Sequence, residues 1–166
     1  ELDDTMIVLI SDNGASSIGG SNGATNQAIA YNAMQENFET VQANLDEIGG
    51  QSTNADYPAG WAQVSNTPFK SVKSTTYAGG IRTPMIVHWP AVIEDEDEDK
   101  VRSQFTHVSD ITATVYDVLG IKSPKTLKGV EQMPVTGTSF AYTFKDGNAK
   151  SKKKTQYFEI TGNRTI

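Results

Sequence analysis

The stretch Thr5-Met-Ile-Val-Leu-Ile-Ser-Asp-Asn-Gly14 decides how this chain is read. From Thr5 to Ile10 the residues form a short apolar run rich in β-branched side chains. That is the pattern of a strand buried on both faces, as in a parallel sheet covered by helices. The run stops at Ser11-Asp12-Asn13-Gly14, and small and polar residues continue through Asn26, with glycines at 14, 19, 20 and 23. A long loop on the carboxyl side of a buried strand is where α/β folds place their ligands.

Further along, Phe38, Val41, Leu45 and Ile48 recur at helical spacing, with Asn37 as a cap and Gly49-Gly50 as a stop. This predicts a helix over 38–48. Residues 51–68, with Pro58, Trp61 and Pro68, read as irregular. Met85-Ile-Val-His-Trp89 predicts a second strand, stopped by Pro90, with His88 as a core residue. Glu94 through Asp99 is a block of like charge that reads as a solvated loop rather than a chelating run. Ser109 can cap a helix from Asp110 to Leu119 whose apolar face is Ile111, Val115, Val118 and Leu119, and Gly120 ends it. His107, just before that helix, can bond backbone or cap a neighbour. Residues 121–137 read as a loop, and Lys150 to Lys154 as a solvated linker. Gln156 to Ile160 predicts a third strand. Strand, long loop, helix, strand, helix, strand is an α/β order with mostly parallel strands.

The chain has 166 residues with 14 basic and 20 acidic side chains, a net charge of −6. That balance argues against a general nucleic-acid binder, which carries a basic face. No stretch approaches the roughly 20 apolar residues of a membrane span. With no cysteine, the chain can hold neither a disulfide, nor a thiolate metal site, nor a cysteine nucleophile.

Two places carry chemistry. Asp12 and Asn13 offer a carboxylate and an amide oxygen side by side, both suited to a hard cation such as calcium or magnesium. Two donors do not complete such a site. The other reading of Asp12-Asn13-Gly14 is a tight hairpin turn, although the continuously apolar strand before it lacks the alternation of a hairpin. Lys73 stands in Asn66-Thr-Pro-Phe-Lys-Ser-Val-Lys-Ser-Thr-Thr-Tyr-Ala-Gly-Gly-Ile-Arg-Thr-Pro84. Gly79-Gly80 permits a close backbone approach. Lysine, threonines and arginine together can hold an anion. The spacing of a phosphate-binding P-loop is absent, and no Gly-x-Ser-x-Gly elbow is present for a Ser-His-Asp triad.

In order along the chain, these segments resemble the sulfatase family of the alkaline-phosphatase-like superfamily, most of all its bacterial arylsulfatases. The resemblance rests on Asp4-Thr-Met-Ile-Val-Leu-Ile-Ser-Asp-Asn-Gly-Ala15, on Asn66-Thr-Pro-Phe69 with Lys73, and on Gly79-Gly-Ile-Arg-Thr-Pro84 with Val87-His-Trp-Pro90. It continues in His107-Val-Ser-Asp-Ile111 with Leu119-Gly-Ile121, and in Gln156-Tyr-Phe-Glu-Ile-Thr-Gly-Asn-Arg164. It implies part of an alkaline-phosphatase-like α/β sandwich with a mostly parallel central sheet. Residues 1–150 would be the later part of the catalytic domain, and 151–166 would start a small carboxy-terminal subdomain. It also implies sulfate-ester hydrolysis by a formylglycine nucleophile, with calcium (rather than magnesium) held in part by Asp12 and Asn13 and with Lys73 as a sulfate-contacting cation. The substrate would be a sulfate ester of a small molecule or glycan.

The family's Cys/Ser-x-Pro-x-Arg motif appears nowhere in this sequence, so no catalytic nucleophile is assigned here and the formylglycine is expected outside this chain. The chain reads as the carboxy-terminal portion of a longer protein, with the remainder of the sulfatase as its partner. Alone, it is expected to be inactive, and to expose an apolar sheet face. Ala78 stands where family members usually have glutamate before Gly-Gly. A phosphonate or phosphate monoester hydrolase of the same superfamily, and a non-catalytic calcium- or sulfate-binding module, are the competing readings. No compartment is assigned.

Overall fold

A computed structural model describes residues 1–93 and 101–166. The acidic run Glu94 to Asp99 falls outside the described residues. In order, the elements are β1 (Ile7–Ile10), α1 (Gln27–Tyr31), α2 (Phe38–Ala43), α3 (Ala59–Ser65), α4 (Ala78–Ile81), β2 (Met85–His88), α5 (Ser109–Val118), β3 (Thr126–Leu127), β4 (Val130–Glu131), β5 (Phe158–Ile160) and β6 (Asn163–Thr165). Short 3-10 turns cover Leu45–Glu47 and Ala141–Thr143. Among the described residues no helix is long and apolar enough to cross a membrane. The chain divides into two compact units. One holds Glu1–Leu9, Met85–Tyr157 and Ile166, the other Ile10–Pro84 and Phe158–Thr165.

In the first unit, β1 and β2 are hydrogen-bonded neighbours in a two-stranded sheet. Burial alternates along both strands. Ile7, Leu9 and Ile86 are 44, 63 and 60% exposed, so in this chain alone the strands are not buried on both faces, and the expected open apolar sheet face is observed. A strand is buried on both faces only when layers cover both, and here one apolar face stands open. His88 points to the exposed set and is not a core residue. The core of this unit lies instead where Phe140 and Phe144 are 4 and 3% exposed. Their rings meet edge to face at 5.9 Å, and Phe144 meets Trp89 in the same way at 6.1 Å. The segment before α5 is tied down by Gln104 Nε2, which donates to the carbonyls of Gly147 and Ala149, and by Arg102, which donates to the carbonyl of Thr143.

Helix α5 starts at Ser109, one residue earlier than expected, and Ser109 makes no side-chain cap. Its hydroxyl lies 2.8 Å from His107 Nδ1 instead. The helix ends at Val118, one residue before the expected Leu119. Gly120, at φ +63°, follows the last turn, with Gly120 N donating to Asp117 O and Ile121 N to Tyr116 O, which is the Schellman pattern. Its buried side is not the expected apolar set, since Leu119 is 62% exposed while Asp110 and Thr114 are each 1% exposed. Thr114 Oγ1 donates to Asp110 O and accepts from Phe140 N, so its burial leaves nothing unpaired. The expected solvated linker is also corrected, because Lys153 is buried and its ammonium lies 3.0 Å from Asp110 Oδ1.

Residues 121–137 were expected to be a loop but contain the antiparallel hairpin β3–β4. Its turn residues Lys128 and Gly129 both have positive φ, 49° and 83°. Two positive φ values match a type I′ turn, which twists in the sense of its strands. Lysine first in the pair hides the usual Asn-Gly signal.

In the second unit, Asn37 caps α2 as expected, its side chain accepting from Thr40 N. The helix stops at Ala43, and Leu45–Glu47 tightens into a 3-10 turn rather than continuing to residue 48. The supposedly irregular stretch 51–68 contains α3, with Ala62 fully buried. The third expected strand is β5, which pairs antiparallel with β6 across Thr161-Gly162, again with both φ values positive.

Candidate functional site

The backbone around Asp12 and Asn13 is fixed by close contact with the glycine pair of α4. Gly14 N donates to Gly80 O at 2.9 Å. A Cβ on Gly14 would stand 1.7 Å from Gly79 O, and one on Gly79 would stand 2.1 Å from Ser71 O. No side chain fits at either place, so three strands of backbone are in direct contact. The expected role of Gly79-Gly80 is therefore observed. The hairpin reading of Asp12-Asn13-Gly14 is not, since β1 pairs with β2, far along the chain.

Four further bonds lock the arrangement. Asn66 Oδ1 accepts from Ala15 N at 3.0 Å, and Asn66 Nδ2 donates to Ser71 O at 3.0 Å. Lys73 N donates to Ala15 O at 2.9 Å. Thr83 Oγ1 donates to Ser11 O at 2.9 Å. The loop carrying Lys73 is thus stitched to the loop carrying Asp12 and Asn13 by backbone and by one amide side chain. Asn66 is a positioning residue that sequence reading did not single out. Nothing in an Asn-Thr-Pro string signals that its amide will bridge two loops.

The result is one pocket of about 520 Å³ lined by Asp12, Asn13 and Lys73, together with Tyr57, Phe69, Arg82 and Thr83. Asp12 and Lys73 are exposed, and Asn13 is half-buried. Ser11 Oγ donates to the backbone carbonyl of Asn13 at 3.1 Å. The guanidinium carbon of Arg82 lies over the Phe69 ring, 4.6 Å from its centroid.

The sulfatase family model matches residues 1–121. The chain belongs to the sulfatase family. It is 28% identical over 138 residues to an arylsulfatase of Klebsiella aerogenes, covering 82% of this chain and 27% of that protein. It is 33% identical over 72 residues to the N-acetylgalactosamine-6-sulfatase of Mus musculus, covering 42% of this chain and 13% of that protein. A sulfatase of Schizosaccharomyces pombe is 28% identical over 124 residues, covering 75% of this chain and 21% of that protein. The chain thus spans about a quarter or less of the length of these sulfatases. The α/β architecture is that of the family.

As a cation site, the sulfatase pocket supplies the right kind of donors in too small a number. Carboxylate and amide oxygens suit calcium, which takes six to eight oxygens. Among the described residues no group of three or more acidic or histidine side chains gathers to hold a metal.

A second polar cluster, in the first unit, contrasts with this pocket. Asp110 accepts from His107 N and Thr138 N at 2.8 Å each and from Lys153 Nζ at 3.0 Å. Beside it, the His107 imidazole is held below its ordinary pKa by burial, then by the Lys153 ammonium, with Asp110 pulling the other way. Each charge here is already satisfied.

Proposed function

We propose that this chain is part of a sulfate-ester hydrolase and supplies half of its reaction centre. Lys73 contacts the sulfuryl oxygens, and Asp12 and Asn13 are two ligands of a calcium ion. The formylglycine nucleophile and the other ligands come from sequence outside this chain. The observation that carries this reading is convergence: Asp12 and Asn13, at the end of β1, and Lys73, sixty residues later, line one pocket. Calcium, when bound, supplies positive charge that draws electron density from the sulfate oxygens. Lys73 offers a compact, strongly hydrated ammonium whose three donors suit a tetrahedral anion. The bond from its own backbone to Ala15 anchors the start of that side chain beside the Asp12–Asn13 loop. On the same reading, residues 1–150 belong to a mostly parallel catalytic sandwich and residues 151–166 open a carboxy-terminal subdomain. Ala78, where the family usually has glutamate, is exposed. The neighbouring loop relies on glycine contacts and on Thr75 Oγ1 donating to Val72 O instead.

The test is turnover of 4-nitrophenyl sulfate by the full-length protein, before and after calcium chelation. Activity should fall on chelation and return with calcium, and the 166-residue chain alone should show none. Turnover of 4-nitrophenyl phosphate in preference to the sulfate would overturn the reading in favour of a phosphate monoester hydrolase.

A further inference from the structure

Lys73 is not the only cation of the pocket. Arg82 lines it too, with an exposed side chain. Among the described residues no carboxylate pairs with the Arg82 guanidinium, and its partner is the face of the Phe69 ring at 4.6 Å. The attraction between a guanidinium and an aromatic face is electrostatic and does not occupy all five N–H donors of the fork. The guanidinium is therefore held in place while its hydrogen bonds remain to be made. The planar fork matches a carboxylate or a second sulfate in bidentate fashion, which an ammonium does not. The pocket, at about 520 Å³, falls in the range of sites that take drug-sized molecules, so there is room for an organic body between two anionic groups. Tyr57, 46% exposed, lines the same pocket and gives that body a ring to lie against.

We propose that Arg82 is a specificity-determining residue that binds a second anionic group of the substrate, so that the pocket prefers sulfate esters carrying a carboxylate or further sulfate on the organic part. This rests on the sulfatase reading for the identity of the first group, the one at Lys73. Phe69 is the positioning residue that orients the guanidinium.

Three sulfonates that cannot be hydrolysed separate the terms in the calcium-loaded full-length protein. Benzenesulfonate carries one anionic group; 3- and 4-sulfobenzoate carry a sulfonate and a carboxylate at two separations. By calorimetry, at least one sulfobenzoate should bind roughly tenfold more tightly than benzenesulfonate. Arg82→Met should remove most of that ratio, and Arg82→Lys should restore only part of it, because the charge returns without the fork. Phe69→Leu should lower it by loosening the guanidinium. Lys73→Met should weaken both ligands and keep the ratio. Equal affinities in the parent protein, or a ratio unmoved in a folded Arg82→Met variant, overturn the proposal. If Arg82→Met does not fold, the ratio in Arg82→Lys and Phe69→Leu decides in the same way. No turnover of 4-nitrophenyl sulfate with the ratio intact sinks the proposed reaction and leaves this inference standing. Turnover with no effect of Arg82 does the reverse.

Discussion

Two regions of this chain use the same residue types to opposite ends. Around Asp110, a carboxylate at 1% exposure takes three donors, one of them the Lys153 ammonium at 3.0 Å. Around Asp12, a carboxylate and the Lys73 ammonium face one pocket, both exposed. The first pair is spent on itself. Desolvated charges survive burial only when paired and hydrogen-bonded, and once paired they have no capacity for a ligand. The second set is left open by its loops, and charge left open on a stitched backbone is what recognition of an ion requires. An aspartate and a lysine therefore say little by type. Whether they meet each other or meet solvent says much more.

The comparison breaks first at Asp110. Asp110→Ala strands a buried ammonium and two backbone N–H groups, and the expected loss is about 3–5 kcal/mol of stability, read as a shift in the urea midpoint. A loss below about 1 kcal/mol, within the range of an exposed ion pair, would show that the cluster is not the closed knot described. At the pocket the balance reverses. Lys73→Met should lower kcat/KM of the full-length enzyme for an aryl sulfate by roughly 10²–10³, while stability stays within about 0.5 kcal/mol, as for an ordinary surface substitution. Equal loss of stability and activity would make Lys73 structural.

Asn66→Ala sharpens the comparison from the other side, because the Asn66 amide is bonded to backbone on both sides and holds the two loops of the pocket together. Removing its amide leaves Ala15 N and Ser71 O unpaired at that point, at an expected cost of about 1–3 kcal/mol. Aryl sulfate turnover should fall as well, through misplaced Asp12 and Lys73 loops. Full activity in a folded Asn66→Ala variant would show that the glycine contacts suffice.

The smallest effect concerns pH. Burial and Lys153 lower the His107 pKa from 6.5. The unfolded chain therefore takes up a proton below that value before the folded one does. The contribution of His107 is fully present above pH 6.5 and is lost as pH falls from there through the lowered folded pKa. His107→Gln should flatten that part of the stability-versus-pH curve, measured by denaturant midpoints between pH 7 and 5, and an unchanged slope would count against it.

Much of the site was legible in the residues. An apolar strand ending in Ser-Asp-Asn-Gly located the loop, and Gly79-Gly80 announced a close backbone approach, because only glycine tolerates an atom where its Cβ would stand. The cap at Asn37 and the stop at Gly120 were equally readable, since each rests on a local bond or a local φ. What was misread depended on neighbours remote in sequence. Nothing within Lys150–Lys154 tells that Lys153 reaches Asp110, forty-three residues back, rather than water. Nothing in Met85–Trp89 tells that His88 faces outward.

The sequence by itself determined the family, the α/β order and the residue types that line the candidate pocket, because these depend on residue type, spacing and local backbone freedom. Only the tertiary structure decided which charges are closed on each other and which stay open. That choice depends on desolvation and on pairing across long stretches of chain, and neither is a property of any short segment.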